Sequence, residues 1–144
     1  MIAVVDASVV VKWLLQDPER EADTEKATDL MEKVTNGEQP VIQPGHWILE
    51  VGAVLARVSP ETALDDVTLL AALELPATDD PLIVRRGTEL AVELKQHLFD
   101  TFCHAIALEN SDAMLVTADE RYLRAAQSKG RIMHVKDWVE GLEA

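Results

Sequence analysis

The sequence predicts one α/β domain with a mainly parallel sheet. Short apolar runs typical of strands alternate along the chain with longer amphipathic stretches typical of helices. The 144 residues fit a single domain with room for a sizeable core. Hydrophobic residues make up 48% of the chain and charged residues 27%, a balance that is too apolar for disorder. We therefore expect residues 1–144 to fold as one domain.

Five elements are expected in the first half of the chain. The run IAVV is apolar throughout, as in a buried strand, and the charged amphipathic stretch after it ends at Asn36-Gly37. Apolar residues between Trp47 and Val58 recur at the helical spacing. Ser59 and Pro60 suit the N-cap and the first position of a further helix. The elements are a strand at 2–5, a helix at 18–34, a brief strand and turn at 41–45, a helix at 46–58 and a helix from Ser59.

The second half continues the alternation. Asp80-Pro81 suits a helix start, and the apolar runs AMLV and IMHV suit two further strands. Asp100 and Asp119 stand where helix N-caps are expected. The elements are a strand at 72–76, a helix from Asp80 to about Lys95, a helix from Asp100 to Glu109, a strand at 113–116, a helix from Asp119 to Lys129, a strand at 132–135 and a C-terminal helix.

Charge and cysteine content narrow the classes of function. The net charge of −13 argues against tight binding to nucleic acid duplexes, which requires a basic face that displaces counterions from phosphates. The acids either keep the protein soluble or include a metal site. The single cysteine, Cys103, allows neither an internal disulfide nor a zinc finger. The N-terminal apolar run is interrupted by charge and lacks a basic leader, so we expect a cytoplasmic protein with no membrane partner.

Acidic residues follow the predicted strands at the edge where parallel sheets bind ligands. Asp6 comes directly after the first strand, and Asp119 follows the strand AMLV by two residues. Asp100 begins a helix, and Glu50 projects beside the apolar stripe of its own helix. Each residue also has a purely structural interpretation: the three aspartates as helix caps, and Glu50 as a boundary residue of an amphipathic helix. The residues alone leave both interpretations open.

Four segments together resemble a PIN domain, and more narrowly the VapC toxins of bacterial toxin–antitoxin pairs. They are "VVDASVVVKWLL", "ILEVGAVLARV", "FDTFCHAIAL" and "LVTADERYL", in this order and spanning nearly the whole chain. The resemblance implies a three-layer α/β/α sandwich and a metal-dependent ribonuclease. It places four catalytic acids in one pocket, at Asp6, Glu50, Asp100 and Asp119. Ser8 and Thr117 are implied as supporting hydroxyls, and Cys103 stands where the family usually has Tyr.

Carboxylates gathered in this way need a cation. At an effective dielectric constant near 20, two of them about 5 Å apart repel by about 3 kcal/mol. Oxygen ligands without a His/Cys set favour Mg²⁺ or Mn²⁺, which can activate a water for hydrolysis. We expect Asp6, Asp100 and Asp119 to hold the metal, and Glu50 to complete the shell or accept a proton from the water.

The histidines, the cysteine and the arginines are weaker candidates for functional residues. His104 follows Cys103 directly, so the two diverge by about 100° on a helix and cannot form a catalytic pair. We interpret His104 and the remaining histidines as structural. Arg121 and Arg124 lie near Asp119 in sequence and are candidate contacts to an RNA backbone.

Three hypotheses of function follow. The first is a VapC-like toxin that cleaves single-stranded RNA, with the resemblance implying a small basic-tailed antitoxin and a homodimer. The second is a PIN-like nuclease that acts on DNA or processes precursor RNA. The third is a binding module without enzymatic activity, whose acids dock a basic partner.

Overall fold

A three-stranded parallel sheet lies at the centre of the protein. The computed structural model describes residues 1–19 and 21–143. The strands are β1 (Ile2–Val5), β4 (Ala113–Thr117) and β5 (Ile132–His134), paired in the order β1-β4-β5. In register, Val5 lies opposite Val116 and Thr117 lies opposite His134. The carboxyl ends of β1 and β4 therefore meet at one edge of the sheet.

Two very short strands form a separate sheet beside β1. They are β2 (Gln43–Pro44) and β3 (Ala77–Thr78), which pair in parallel. Val41 forms a parallel bridge with Ala3. The Gln43 side-chain amide accepts from the Val5 N–H at 2.8 Å and donates to the Val5 carbonyl at 2.9 Å. A side chain thus replaces the backbone pairing that the end of β1 lacks on this side.

Helices cover both faces of the sheet. Val5 and Val116 point into one hydrophobic core with residues of the first four helices, whereas Val4 and Leu115 point into a second core with residues of the later helices. This arrangement confirms the predicted α/β/α sandwich with a parallel sheet. The helices are α1 (Ala7–Leu15), α2 (Thr24–Thr35), α3 (Trp47–Val58), α4 (Ala63–Ala72), α5 (Pro81–Leu94), α6 (Leu98–Leu108) and α7 (Glu120–Ala126).

The starts of three helices in the first half of the chain, α1, α2 and α4, differ from the prediction. The sequence elements contain no counterpart of α1, whose Val9, Val10 and Val11 are strand-forming residues held in a helix by burial. Helix α2 begins six residues later than Pro18, because Glu21 lies in the connection before it and forms an ion pair with Lys12 of α1. Helix α4 also begins later than predicted.

Ser59 explains the late start of α4. Its backbone N–H bonds to the Leu55 carbonyl, so Ser59 ends α3 rather than starting the next helix. The Ser59 and Thr62 hydroxyls then lie 2.7 Å apart across a turn that separates α3 from α4. The predicted N-cap is therefore a C-cap.

The predictions of two further elements are wrong. The strand predicted at 72–76 does not form, because α4 runs to Ala72 and the left-handed backbone of Glu74 (φ 48°) breaks an extended run. Ala77 and Thr78 pair with β2 instead. The predicted C-terminal helix is replaced, within the described residues up to 143, by a 3-10 turn at Val135–Asp137 followed by the extended, buried Trp138.

The described residues contain no helix that is both long and apolar enough to cross a lipid bilayer.

Candidate metal centre

All four predicted acids line one cavity at the carboxyl ends of β1 and β4. Its volume is about 330 Å³, and its wall includes Asp6, Glu50, Asp100 and Asp119. Three of the four converge more closely. One carboxylate oxygen from each of Asp6, Glu50 and Asp100 lies within 4.8 Å of the other two. We call these three residues the acid cluster.

Asp6 is the buried centre of the acid cluster. It caps α1, since its Oδ2 accepts from the Ser8 N–H at 3.3 Å. The Ser8 and Thr117 hydroxyls donate to the same oxygen, the latter at 3.1 Å. The Oδ1 atom has no hydrogen bond to another described residue. Capping and ligand binding are thus compatible at Asp6, because they use different oxygens.

The supporting hydroxyls tie the two strand ends together. The Ser8 hydroxyl accepts from the Ala118 N–H at 2.9 Å, and the Thr117 hydroxyl accepts from the Asp119 N–H at 3.0 Å. Each hydroxyl donates a hydrogen bond to Asp6 and accepts one from the backbone after β4. These bonds fix the orientation of the Asp6 carboxylate. Ser8 and Thr117, which the resemblance implied as supporting hydroxyls, thus both contact Asp6.

Asp100 lies in the first turn of α6 rather than at its N-cap. His97 takes the cap position, where its Nδ1 accepts from the Phe99 N–H at 3.1 Å, so the helix begins two residues earlier than predicted. The capping interpretation of Asp100 is wrong. Its carboxylate is instead directed at the cavity, in the half of the helix where the macrodipole favours a negative charge.

Burial and mutual repulsion both raise pKa values within the cluster. Burial, together with the negative charges of Asp6, Glu50 and Asp119, raises the pKa of Asp100 to about 7. Burial also raises the pKa of Asp6, with the charge of Glu50 acting in the same direction. A bound dication would oppose both effects, since it supplies positive charge beside the buried carboxylates.

Glu50 enters the cavity from α3. It follows His46 by one helical turn, and His46 Nε2 lies 3.4 Å from Glu50 Oε2 without hydrogen-bond geometry. The His46 ring stacks on Phe99 at a centroid distance of 4.4 Å. The sequence interpretation treated His46 as structural and missed this contact, although the four-residue spacing from Glu50 could have indicated it.

Asp119 lines the cavity but stands apart from the acid cluster. It caps α7, with its Oδ1 accepting from the Tyr122 N–H at 3.0 Å. Its charge still reaches the cluster, since it contributes to the raised pKa of Asp100. Of the three predicted metal ligands, the structure brings Asp6 and Asp100 together directly, while Glu50 takes the third place in the cluster.

Lys12 is a cavity residue that the sequence interpretation missed. It lines the wall together with Glu21, and its Nζ lies 2.9 Å from Glu21 Oε2. Its spacing of four residues from Ser8 on α1 was the available signal. Arg121 and Arg124 are exposed on α7 and form no salt bridge with another described residue. Neither arginine lines the cavity.

His104 lies in the second core, away from the cavity wall. Its Nε2 is 2.8 Å from the Gly130 carbonyl, which can only accept, so Nε2 carries the proton. Its Nδ1 then accepts from the Tyr122 hydroxyl at 3.0 Å. Burial lowers the pKa of His104, in keeping with a neutral ring. This geometry supports the structural interpretation of His104.

The acid cluster suits a hard divalent cation. Carboxylate oxygens are the ligands that Mg²⁺ and Mn²⁺ prefer, and the free Oδ1 of buried Asp6 offers one without disturbing its cap. Glu50 and Asp100 provide further oxygens within reach of the same point. The residues present therefore fit the metal that the fold implies.

Comparison with known proteins agrees with this geometry. A search of curated proteins finds no match. The family profile described as PIN domain matches residues 3–128, which contain β2, β3, β4, most of β1 and all four acids of the cavity. PIN domains are generally nucleases, and they typically use divalent metals. From its sandwich fold, its acidic cavity and this match, the chain belongs to the PIN domain family.

Proposed function

We propose that this protein is a Mg²⁺- or Mn²⁺-dependent endoribonuclease that hydrolyses phosphodiester bonds in single-stranded RNA. The observation that carries the proposal is the convergence of Asp6, Glu50 and Asp100 within 4.8 Å at the ligand-binding edge of a parallel sheet. One buried and two half-buried carboxylates in such a cluster raise the free energy of the metal-free fold, and a bound cation would offset that cost.

Each acid has a distinct part in the proposed reaction. Asp6 and Asp100 hold the cation directly, and Asp119 reaches it directly or through water. When bound, the cation would lower the pKa of a water and neutralise charge on the phosphate. Glu50 completes the set of ligands or accepts the proton of the attacking water, for which its partly exposed carboxylate is suitably placed. Ser8 and Thr117 orient Asp6 throughout.

Substrate binding needs positive charge, which this chain of net charge −13 has in few places. Lys12 lies in the cavity wall, and Arg121 and Arg124 are exposed on the helix that Asp119 caps. We assign these three residues to the RNA backbone. A flexible single strand suits so sparse a set better than a rigid duplex, because it can bend toward each charge.

The biological role that we propose is that of the toxin in a toxin–antitoxin pair. Its support is the resemblance of the four sequence segments to VapC. The partner would be a small antitoxin with a basic tail, whose arginine enters the acidic cavity and forms a bidentate contact in place of the metal. A cytoplasmic location and a homodimer belong to the same proposal.

Cleavage of single-stranded RNA by the purified protein tests the activity. We expect cleavage with Mg²⁺ or Mn²⁺, none with EDTA, and loss of cleavage in Asp100→Asn. Asp65→Asn is the matched control, since Asp65 is an exposed acid in the first turn of α4. Full activity of Asp100→Asn would remove this residue from the site, and cleavage of DNA in preference to RNA would favour the alternative PIN-like nuclease.

A further inference from the structure

A second group of metal-ligating side chains lies beside the acid cluster. One ligand atom from each of His46, Glu50 and Cys103 lies within 4.8 Å of the other two. His46 and Glu50 are one turn apart on α3, and Cys103 lies on α6 one turn after Asp100. Glu50 thus belongs to both groups, whereas the proposed nuclease reaction uses neither His46 nor Cys103.

One nitrogen of the His46 ring, Nε2, faces this group without a hydrogen-bond partner among the described residues. This atom is buried. Such an orphaned atom costs about 1–3 kcal/mol, so its retention needs a reason. Nε2 lies 3.4 Å from Glu50 Oε2. Two ligands about 2.0–2.1 Å from a tetrahedral cation are about 3.4 Å apart, so this separation already suits a shared ion.

The donor types differ from those of the acid cluster. Nitrogen, sulfur and carboxylate oxygen together favour Zn²⁺ over Mg²⁺, because thiolate and imidazole are softer ligands than carboxylate. The Cys103 thiol is buried, and burial with the surrounding carboxylates holds its pKa well above the usual range. The free thiol is therefore protonated. When a thiophilic cation forms the metal–sulfur bond, that proton passes to water.

We propose that His46, Glu50 and Cys103 form a second cation site, selective for Zn²⁺ and similar thiophilic ions, whose occupation inhibits the Mg²⁺-dependent reaction. The inhibition follows from the shared ligand: an ion held by His46 and Cys103 engages Glu50 and adds positive charge beside the acid cluster. Both effects weaken Mg²⁺ binding. The inhibitory part rests on the proposed nuclease function, whereas the binding part does not.

Titration of the metal-free, reduced protein with Co²⁺ tests the site. Co²⁺ replaces Zn²⁺ in tetrahedral sites and gives a sulfur-to-cobalt charge-transfer band when a thiolate binds it. Because the chain has one cysteine, such a band can come from Cys103 alone. We expect a band that Zn²⁺ abolishes, whereas Mg²⁺ should only raise the Co²⁺ concentration that the band requires, because the coupling between the two sites is reciprocal. Absence of the band in the wild-type protein overturns the site, whatever the variants do.

Two histidine variants assign the second ligand. His46→Gln should lose the band. His97→Asn is the matched control and should keep it, because it removes an exposed histidine of α6 while Asn preserves the helix cap. A band of unchanged intensity in His46→Gln would overturn the assignment of His46.

RNA cleavage tests the inhibition separately. We expect Zn²⁺ to raise the Mg²⁺ concentration that the wild-type protein needs, and Cys103→Ala to cleave normally with little response to Zn²⁺. Equal sensitivity of both proteins to Zn²⁺ would overturn the inhibition while leaving the spectroscopic site in place. A wild-type protein that cleaves no RNA with any metal would refute the nuclease function, and the Co²⁺ spectrum would still decide whether the second site exists.

Discussion

Removing the charge of Asp100 should stabilise the metal-free protein. Asp100 has a pKa of about 7 in the folded state against an ordinary value of 3.8. Between these values the unfolded chain has already lost the proton that the folded chain retains, so stability falls as the pH rises from about 4 to 7 and stays low above that. The shift corresponds to about 4 kcal/mol at about 1.4 kcal/mol for each pH unit. Because the side chain is only partly buried, solvent screening reduces this to about 2 kcal/mol.

The assay is urea unfolding in EDTA across this pH range. We expect Asp100→Asn to exceed the wild-type stability by about 2 kcal/mol at pH 8, using the estimate above, and the difference to vanish near pH 4. Asp65 is an exposed acid in the first turn of α4, so Asp65→Asn should leave the free energy of unfolding unchanged both at pH 8 and near pH 4. A difference between Asp100→Asn and wild type that does not vary with pH would refute the reasoning, because repulsion requires an ionised Asp100.

Three other predictions concern the hydroxyl that supports Asp6, the RNA substrate and the antitoxin partner. Thr117→Val removes a donor to buried Asp6 and should cost about 1–3 kcal/mol by urea unfolding, whereas Thr68→Val at an exposed position should cost little; equal losses would contradict this role. Replacing Arg121 and Arg124 by Ala should weaken RNA binding and reduce its salt dependence without changing Mn²⁺ affinity, as measured by fluorescence anisotropy and calorimetry; unchanged RNA affinity would remove both residues from the interface. Binding of a cognate antitoxin should weaken with salt and suppress RNA cleavage, and a tight complex that leaves cleavage unaffected would argue against control through the acidic cavity.

Much of the fold could be predicted because local sequence determines it. The strands at 2–5, 113–116 and 132–135 are short apolar runs, and their spacing between amphipathic stretches specifies a parallel sheet. Asp80 and Pro81 start α5 as expected, with Asp80 Oδ1 accepting from the Leu82 N–H at 2.9 Å. Such signals depend on neighbours a few residues away.

The errors arose where several local signals competed. Either His97 or Asp100 could have started α6, and the choice of His97 places Asp100 at the third position of the helix with its carboxylate free for the cavity. Ser59 could have ended one helix or started another. The choice depends on how α3 and α4 pack, which no short window of sequence contains.

The sequence could predict which acids line the cavity, but not how close to one another they lie. All four acids reach the same cavity, yet Glu50 rather than Asp119 joins Asp6 and Asp100 in the close cluster. That difference depends on the position of α3 against the strand ends. The contact between His46 and Glu50 depends on the same packing.

We propose that the acids of this cavity hold a catalytic divalent cation. The most direct measurement is the anomalous scattering of Mn²⁺ in a crystal of the purified protein. We predict a peak within bonding distance of the carboxylates of Asp6 and Asp100, and its loss in Asp6→Asn. A Mn²⁺ peak bound elsewhere, or one that survives unchanged in Asp6→Asn, would contradict the account.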